Sequence, residues 1–185
     1  MINNRPWIAA FSRTGSEIYE LSKRLHRFPD RIVSNSPFSN VNTQLRDEYV
    51  GEWYILPKSP TIDQYRHAFT VYNNVSDIST PIITLHGWLK VIPAEICNEY
   101  YILNGHPGDI ETYPELKGFN PQEKAFNLKL PTSGSIIHRV TPEVDCGEIL
   151  TRQKVTISGL YLEEVYEQLH SNSIDLWYKY FTSLL

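Results

Sequence analysis

Two polar side chains stand at the end of an apolar run in the segment "YILNGHPGDI" (101–110): Asn104 and His106. If the backbone stays extended there, residues two apart point to the same side of a strand, so the amide and the imidazole face one small volume. An amide donates hydrogen bonds without titrating, and an imidazole can both give and take a proton. This pair suits charge stabilisation and proton transfer, provided that other segments reach the same place.

Two further polar segments, "SRTGSE" (12–17) and "TPEVDCG" (141–147), also follow apolar runs. In open sheets of parallel strands, ligands bind in the crevice beyond the carboxyl ends of the strands. We therefore expect these two segments to join Asn104 and His106 in one site at that edge of a sheet.

Short β-rich runs alternate with helical patterns along the chain, and this alternation predicts an α/β fold with a mostly parallel sheet and helices on both faces. The predicted strands are 7–11, 31–35, 53–57, the β-branched start of 80–92, 101–104, 134–141 and 148–157. The predicted helices begin after Gly15, at Thr61 (61–73) and at Pro93 (93–100), with a helix or irregular stretch around 40–50 and one or two closing helices in 160–185.

The turn "RTGSE" (13–17) joins the first predicted strand to the first helix. Thr14 and Glu17 fit the S/T-x-x-E capping box, and Gly15 permits a tight turn before the helix. A glycine-containing turn at a helix N-terminus is also a ready anion site, with Arg13 as a charge partner and Ser16 as a hydroxyl donor.

Length and composition indicate one domain over residues 1–185. The chain is 41% apolar and 12% aromatic, which is enough for one substantial core. Its net charge of −4 shows no basic surplus, so a nucleic-acid partner is not expected. The first residues lack the pattern of a signal peptide, and no stretch of about eighteen apolar residues predicts a membrane span. We expect a cytoplasmic protein.

The stretch "NGHPGDIETYPELKG" followed by "SGSIIHRVTPEVDCGEIL" resembles the folate-dependent formyltransferase family. The family pattern is Asn-x-His-Pro at a strand end, then Gly-x-x-x-His-x-Val leading to Asp-x-Gly. In this chain the pattern falls on Asn104, His106, Pro107, Gly134, His138, Val140, Asp145 and Gly147. The resemblance implies a single Rossmann-like catalytic domain.

The resemblance also implies a reaction, which is transfer of a formyl group from 10-formyltetrahydrofolate to a primary amine of a small, possibly nucleotide-type acceptor. The reaction passes through a tetrahedral intermediate whose oxygen gains negative charge. By resemblance, Asn104 and a protonated His106 stabilise that oxygen. Asp145 keeps the imidazole protonated and assists proton transfer, and no metal is implied.

The resemblance assigns binding residues to two sets. The folate set is Trp88, Leu89, Lys90, Val91, Ile92, Thr141 and Val144. The acceptor set is Arg13, Thr14, Gly15, Ser16, Glu17, Pro107 and Gly108. In the ribonucleotide-formylating branch, which serves purine biosynthesis, a Gly-Ser-Asn stretch holds the substrate phosphate. Here Glu17 takes the third place, and it would repel a phosphate unless Arg13 neutralises it. The loop 108–118 also departs from the family pattern, and its acids could suit a cationic amine.

Alternatives stay open at this point. Taken singly, Asn104 is a turn-forming amide, Asp145 a turn cap and His138 either a core histidine or a site residue. The same scaffold could bind folate or a nucleotide without turnover, or hydrolyse formyltetrahydrofolate. tRNA-formylating members carry a further C-terminal domain for which the stretch after Asp145 is short, so a small-molecule acceptor is expected. The quaternary state is a monomer or a homodimer.

Overall fold

The computed structural model describes residues 5–71 and 80–184, which form one seven-stranded sheet flanked by helices. The strands are β1 (Trp7–Phe11), β2 (Arg31–Ser34), β3 (Glu52–Ile55), β4 (Ile82–His86), β5 (Ile102–His106), β6 (Thr132–Arg139) and β7 (Ile149–Thr156). The α-helices are α1 (Ser16–Leu25), α2 (Thr43–Glu48), α3 (Ile62–Phe69), α4 (Ala94–Glu99), α5 (Pro121–Asn127) and α6 (Leu162–Ser183).

The strand order is β3-β2-β1-β4-β5-β6-β7. The first five strands of this order run parallel, whereas β6 and β7 are antiparallel to their neighbours. The prediction of a mostly parallel sheet is confirmed. After β1 the chain builds outward to β2 and β3, and then returns to place β4 on the other side of β1. The carboxyl ends of β1 and β4 therefore border the crevice at which the order reverses.

Both faces of the sheet are covered, as predicted. Every residue of β1 is buried, and its side chains alternate between the two faces. Trp7, Ala9 and Phe11 belong to the core beneath α1, α2 and α6, whereas Ile8 and Ala10 belong to the core with α3 and α4. Because β1 is apolar and buried on both sides, the polar groups that it contributes to the crevice lie in the turn that follows it.

Helix starts agree with the prediction at α3 and differ at α1. Thr61 caps α3 in a capping box with Gln64, and α3 ends at Phe69; residues 72 and 73 of the predicted helix lie outside the described residues. At α1 the N-cap is Gly15, in the left-handed region with φ 74°, and no side chain caps it. The predicted capping box was wrong because the Glu17 carboxylate turns to a tertiary partner, His86.

The C-terminal stretch is one helix. α6 runs for 22 residues and packs against β6, β7 and α1. Its fully buried Trp177 lies over β5, where a Cβ on Gly105 would come within 2.5 Å of the indole nitrogen. A glycine between Asn104 and His106 is thus required by the packing of α6. In the ranges that the structure describes, no helix is both long and apolar enough to span a membrane.

Candidate active site

A cleft with a volume of about 580 Å³ runs along the carboxyl edge of the sheet. It lies between the β1–α1 turn, the loop after β4, the end of β5, the loop after β6 and one side of α6. All but one of the site residues predicted from the sequence line it. The exception is Gly108, which is buried, where a Cβ would lie 3.0 Å from Nε2 of His106 and 2.9 Å from Cβ of Pro121.

Asn104, His106 and Asp145 converge in this cleft. The first two lie two apart on β5, and the loop after β6 brings Asp145 to them with a left-handed backbone, φ 51°. Oδ2 of Asp145 is 3.5 Å from Nδ1 of His106, and the two side chains are only 8% and 6% exposed. An amide and an imidazole of β5 and a carboxylate from a distant loop therefore line the same part of the cleft.

His138 also belongs to this cluster. It lies on β6, directly opposite Asn104 in the antiparallel pairing of β5 with β6. Its Nδ1 lies 3.0 Å from the carbonyl oxygen of Arg139, which can only accept, so Nδ1 carries a proton. In the neutral ring Nε2 is then an acceptor, and it lies 3.1 Å from Nδ2 of Asn104. This network assigns the orientation of the amide and leaves its second N–H available to a ligand in the cleft.

Asp145 is held as a carboxylate between two imidazoles. Oδ2 accepts a hydrogen bond of 2.8 Å from the Gly118 amide, and Oδ1 lies 3.4 Å from Nε2 of His138. Burial acts to raise the pKa of Asp145, but a hydrogen bond from the protonated His138 ring, the charge of the protonated His106 ring and the Gly118 N–H outweigh it and lower the pKa to about 2. A proton that either imidazole takes up is thus placed beside a negative charge.

His106 differs from its predicted state. Its Nε2 donates a 2.9 Å hydrogen bond to the Leu116 carbonyl. Burial lowers the pKa of His106 below its ordinary value, and the Asp145 charge and the Leu116 carbonyl, which act to raise it, offset only part of that effect. The imidazole is therefore neutral at neutral pH rather than a resident cation. Its Nδ1 lone pair faces Asp145, where it can accept a proton.

This charge state predicts a titration result. In the wild-type protein, the NMR chemical shifts of the His106 ring should titrate below pH 6.5, the ordinary histidine value. In Asp145→Asn the anion that favours the imidazolium is gone, so the midpoint should fall further. A midpoint that rises on this substitution would show that Asp145 does not face His106 in solution.

The loop that contains Asp145 is held in place by a close contact between the backbone at Gly147 and strand β6. A Cβ at this position would lie 1.8 Å from the carbonyl oxygen of Arg139 on β6. The same stretch is tied to the strand by the hydrogen bond from Arg139 N to Glu148 O, 2.9 Å. A side chain at 147 must therefore push the loop, and Asp145 with it, away from the sheet.

Gly147→Ala is accordingly expected to lower the free energy of unfolding by at least about 2 kcal/mol, because the clash is with backbone that cannot rotate away. Gly159→Ala is the matched control. Gly159 has φ 81° with no atom near its Cβ position, so it should cost only about 1–2 kcal/mol of backbone strain. Urea denaturation measures both. Equal losses, or a smaller loss at 147, would contradict the close approach.

One arm of the cleft is apolar. Leu89, Val91 and Val144 expose 41%, 65% and 52% of their surface, whereas Ile92 is buried. The Leu89 amide donates to the Ser12 hydroxyl at 2.9 Å, which ties this loop to the β1–α1 turn. Lys90 Nζ donates to the Lys58 carbonyl. Such a wall of apolar side chains with a few backbone groups suits the flat ring of a ligand.

The other arm contains the β1–α1 turn and one side of α6. Here the Glu17 carboxylate lies 2.7 Å from Nδ1 of His86. Several lining residues were not assigned to the site from the sequence: His86, Tyr166, Glu167, His170 and Ser173. His138, which the sequence left open as a core or a site residue, also lines the cleft. His86 could have been found, since it ends β4, just as the Gly-x-x-x-His-x-Val pattern had already singled out His138. The α6 residues carry no such signal, because only helix packing turns them toward the cleft.

Residues 31–177 match the sequence profile of the family described as formyl transferase. Over 104 residues the chain is 34% identical to phosphoribosylglycinamide formyltransferase of Dictyostelium discoideum, which covers 50% of this chain and 49% of that protein. Over 85 residues it is 26% identical to the trifunctional purine biosynthetic protein adenosine-3 of Bos taurus, which covers 45% of this chain and 8% of that protein. The chain thus matches half or less of the length of these relatives.

Solved structures share the fold. Phosphoribosylglycinamide formyltransferase from Campylobacter jejuni superposes with a TM-score of 0.80 at 16% identity, over 97% of both chains. The enzyme of the same name from Anaplasma phagocytophilum gives 0.77 at 18% identity, over 95% of this chain and 85% of that one. A formyltetrahydrofolate deformylase from Pseudomonas syringae gives 0.70 at 17% identity, over 94% of this chain and 59% of that one. At these identities the likeness establishes the fold alone.

Proposed function

Because the chain belongs to the formyl transferase family, we propose that it transfers the formyl group of 10-formyltetrahydrofolate to a primary amine of a small acceptor. The observation that carries this proposal is the convergence of Asn104, His106 and Asp145 between an apolar arm and a polar arm of one cleft. The apolar arm suits the folate, the polar arm suits the acceptor, and the reacting carbon lies between them.

Asn104 is the oxyanion donor of the proposed reaction. When the amine nitrogen attacks the formyl carbon, the carbonyl oxygen gains negative charge, and the free N–H of Asn104 donates to it. His138 already fixes the amide plane, so the donor needs no reorganisation as the charge develops. Donors of this kind are worth about 3–4 kcal/mol of barrier at other acyl-transfer sites.

His106 and Asp145 move the proton. As the carbon–nitrogen bond forms, the amine loses a proton, which Nδ1 of the neutral His106 accepts. The resulting imidazolium lies beside the Asp145 carboxylate, 3.5 Å away, which stabilises it. The bond between the formyl carbon and the folate nitrogen then breaks, and the proton passes to that nitrogen as it leaves. Protons and electrons balance without any oxidant or reductant.

The folate would be held by the loop after β4 and the loop after β6. Residues with the right chemistry are the apolar Trp88, Leu89, Val91, Ile92 and Val144, with Thr141 and Lys90 as polar groups. The cleft volume of about 580 Å³ falls within the range of about 300–1,000 Å³ that is usual for small-molecule sites. Lys90 is charged, so it would favour the acidic tail of a folate.

The acceptor is an amine of a small molecule, and glycinamide ribonucleotide, which the name of the Dictyostelium relative indicates, is the reference acceptor to test. Pro107 and the turn residues Arg13, Thr14, Gly15, Ser16 and Glu17 line the acceptor arm. Cytoplasmic location and a monomeric or homodimeric state stay predictions.

Incubation with 10-formyltetrahydrofolate and a panel of primary amines tests this function. Tetrahydrofolate release, followed by absorbance, should require an amine and should match the N-formyl product, measured by mass, one for one. Release at the same rate without amine would instead show a hydrolase, the activity named for the Pseudomonas structure. Folate binding without release would show a binding protein.

A further inference from the structure

The acceptor arm ends at a carboxylate that the sheet itself holds in place. Glu17 lies in the first turn of α1. Its side chain is 16% exposed and lines the cleft. Its Oε1 is 2.7 Å from Nδ1 of His86, whose side chain is fully buried at the end of β4. The buried His86 side chain therefore fixes the position of the Glu17 carboxylate in the wall of the cleft.

A chain of hydrogen bonds behind Glu17 orients the imidazole that donates to it. The indole of Trp7, which can only donate, lies 2.8 Å from the Thr84 hydroxyl oxygen. The Thr84 proton is then free to be donated to Nε2 of His86, 2.8 Å away. His86 thereby keeps its other proton on Nδ1, which donates to Glu17. With the Nδ1–H of His86 donating to it, Glu17 accepts as a carboxylate, the form that carries a negative charge.

The groups that face Glu17 from α6 agree with a carboxylate. Burial acts to raise the pKa of Glu17, but the hydrogen bond and charge of His86, with smaller effects of His170 and Ser173, hold it below the ordinary value. His170 is itself 3.4 Å from Glu20, a second acid on α1. Glu20 is not among the residues that line the cleft, so Glu17 is the acid that α1 presents to it.

The same turn is poorly suited to a phosphate. The backbone N–H of Ser16 at the start of α1 has no acceptor within the helix, and it donates to the Thr14 hydroxyl at 3.3 Å. A phosphomonoester, which carries more than one negative charge at neutral pH, would lie beside the Glu17 carboxylate. The negative charges of the phosphate and of the Glu17 carboxylate would then repel each other.

We propose that Glu17 is a specificity-determining residue of the cleft, which binds a positively charged nitrogen at the far end of the acceptor and disfavours phosphorylated acceptors. The inference rests on the proposed function, which places the reacting amine at Asn104. Since β1, β4 and β5 are successive strands, the turn after β1 and the end of β5 are two strand spacings, roughly 10 Å, apart. The acceptor class is therefore a diamine-like molecule whose second cation lies up to that distance from the reacting amine.

Two ligands with the same reacting group test this inference: glycinamide ribonucleotide, which ends in a phosphate, and a glycinamide whose amide nitrogen carries an aminoalkyl chain. Ligand-observed NMR measures their dissociation constants without any formyl donor. The wild-type protein should bind the aminoalkyl ligand at least tenfold more tightly. Glu17→Gln, which keeps the size of the side chain, should lose at least tenfold of that preference. Glu95→Gln, which removes an exposed acid from the first turn of α4, should keep it.

Equal or tighter binding of the ribonucleotide by the wild-type protein would overturn the inference, as would binding of neither ligand or an unchanged preference in Glu17→Gln. The wild-type comparison does not depend on the folding of any variant. Because no formyl donor is present, a failure of formyl transfer in the amine assay counts against the proposed function and leaves this result standing.

Discussion

Asn104→Ala is expected to lower the single-turnover rate of formyl transfer by about 10²–10³-fold, because the barrier loses the donor that meets the developing oxyanion. Folate binding should change little, since the donor acts mainly in the transition state. Rapid-quench measurement of product at saturating folate and amine gives the rate. Folate affinity, measured separately by fluorescence titration, shows whether binding is intact.

Asn98→Ala provides the matched control, since Asn98 is exposed on α4 and lies outside the cleft. Asn104→Ala also leaves Nε2 of His138 without its partner, so thermal unfolding of the variant should be recorded beside its rate. A folded Asn104→Ala protein with a rate within about threefold of the wild type would remove this amide from the proposed mechanism.

Asp145→Ala is expected to lower kcat by about 10²–10⁴-fold, the range that positioned proton-transfer groups contribute. The imidazolium of His106 would form without its adjacent anion. The loop would also lose the hydrogen bond that Asp145 accepts from the Gly118 amide. Steady-state kinetics over the amine panel measures the loss.

Asp145→Asn separates the two effects, because the asparagine oxygen can still accept from Gly118 while the charge is gone. A slow but stable Asp145→Asn protein is therefore the expected result. Glu148→Gln is the control, since it removes an exposed acid three residues further on. Full activity in Asp145→Asn would mean that the carboxylate charge takes no part in the reaction.

Much of the fold follows from local patterns in the sequence. The unbroken apolar run 7–11 predicted a strand, and β1 is that strand, buried on both faces. Thr61 predicted the start of α3, and the structure shows the local reason, since its capping partner, Gln64, lies only three residues away. The same kind of pattern failed at Thr14, where the capping acid, Glu17, is drawn to His86, 69 residues away. A local rule fails where a tertiary partner outcompetes the local one.

The candidate site likewise has features that the sequence predicts and features that only the tertiary structure reveals. The spacing of Asn104 and His106 placed both side chains on one side of β5, because strands have a period of two. The contact of His138 with Asn104 depends on the antiparallel register of β5 and β6, which the sequence does not encode locally. The neutral state of His106 also required the structure, since it follows from burial and from the bond to the Leu116 carbonyl.

The fate of a labelled formyl group tests the central claim most directly. Protein, 10-formyltetrahydrofolate with ¹³C in the formyl carbon, and a primary amine are mixed, and the carbon is followed by NMR. Formyl transfer through the Asn104, His106 and Asp145 cluster predicts that the label appears as the N-formyl group of the amine, and that it stays on the folate in Asn104→Ala over the same time. Label that appears as formate whether or not amine is present, or that never leaves the folate in the wild-type protein, would contradict the proposed function.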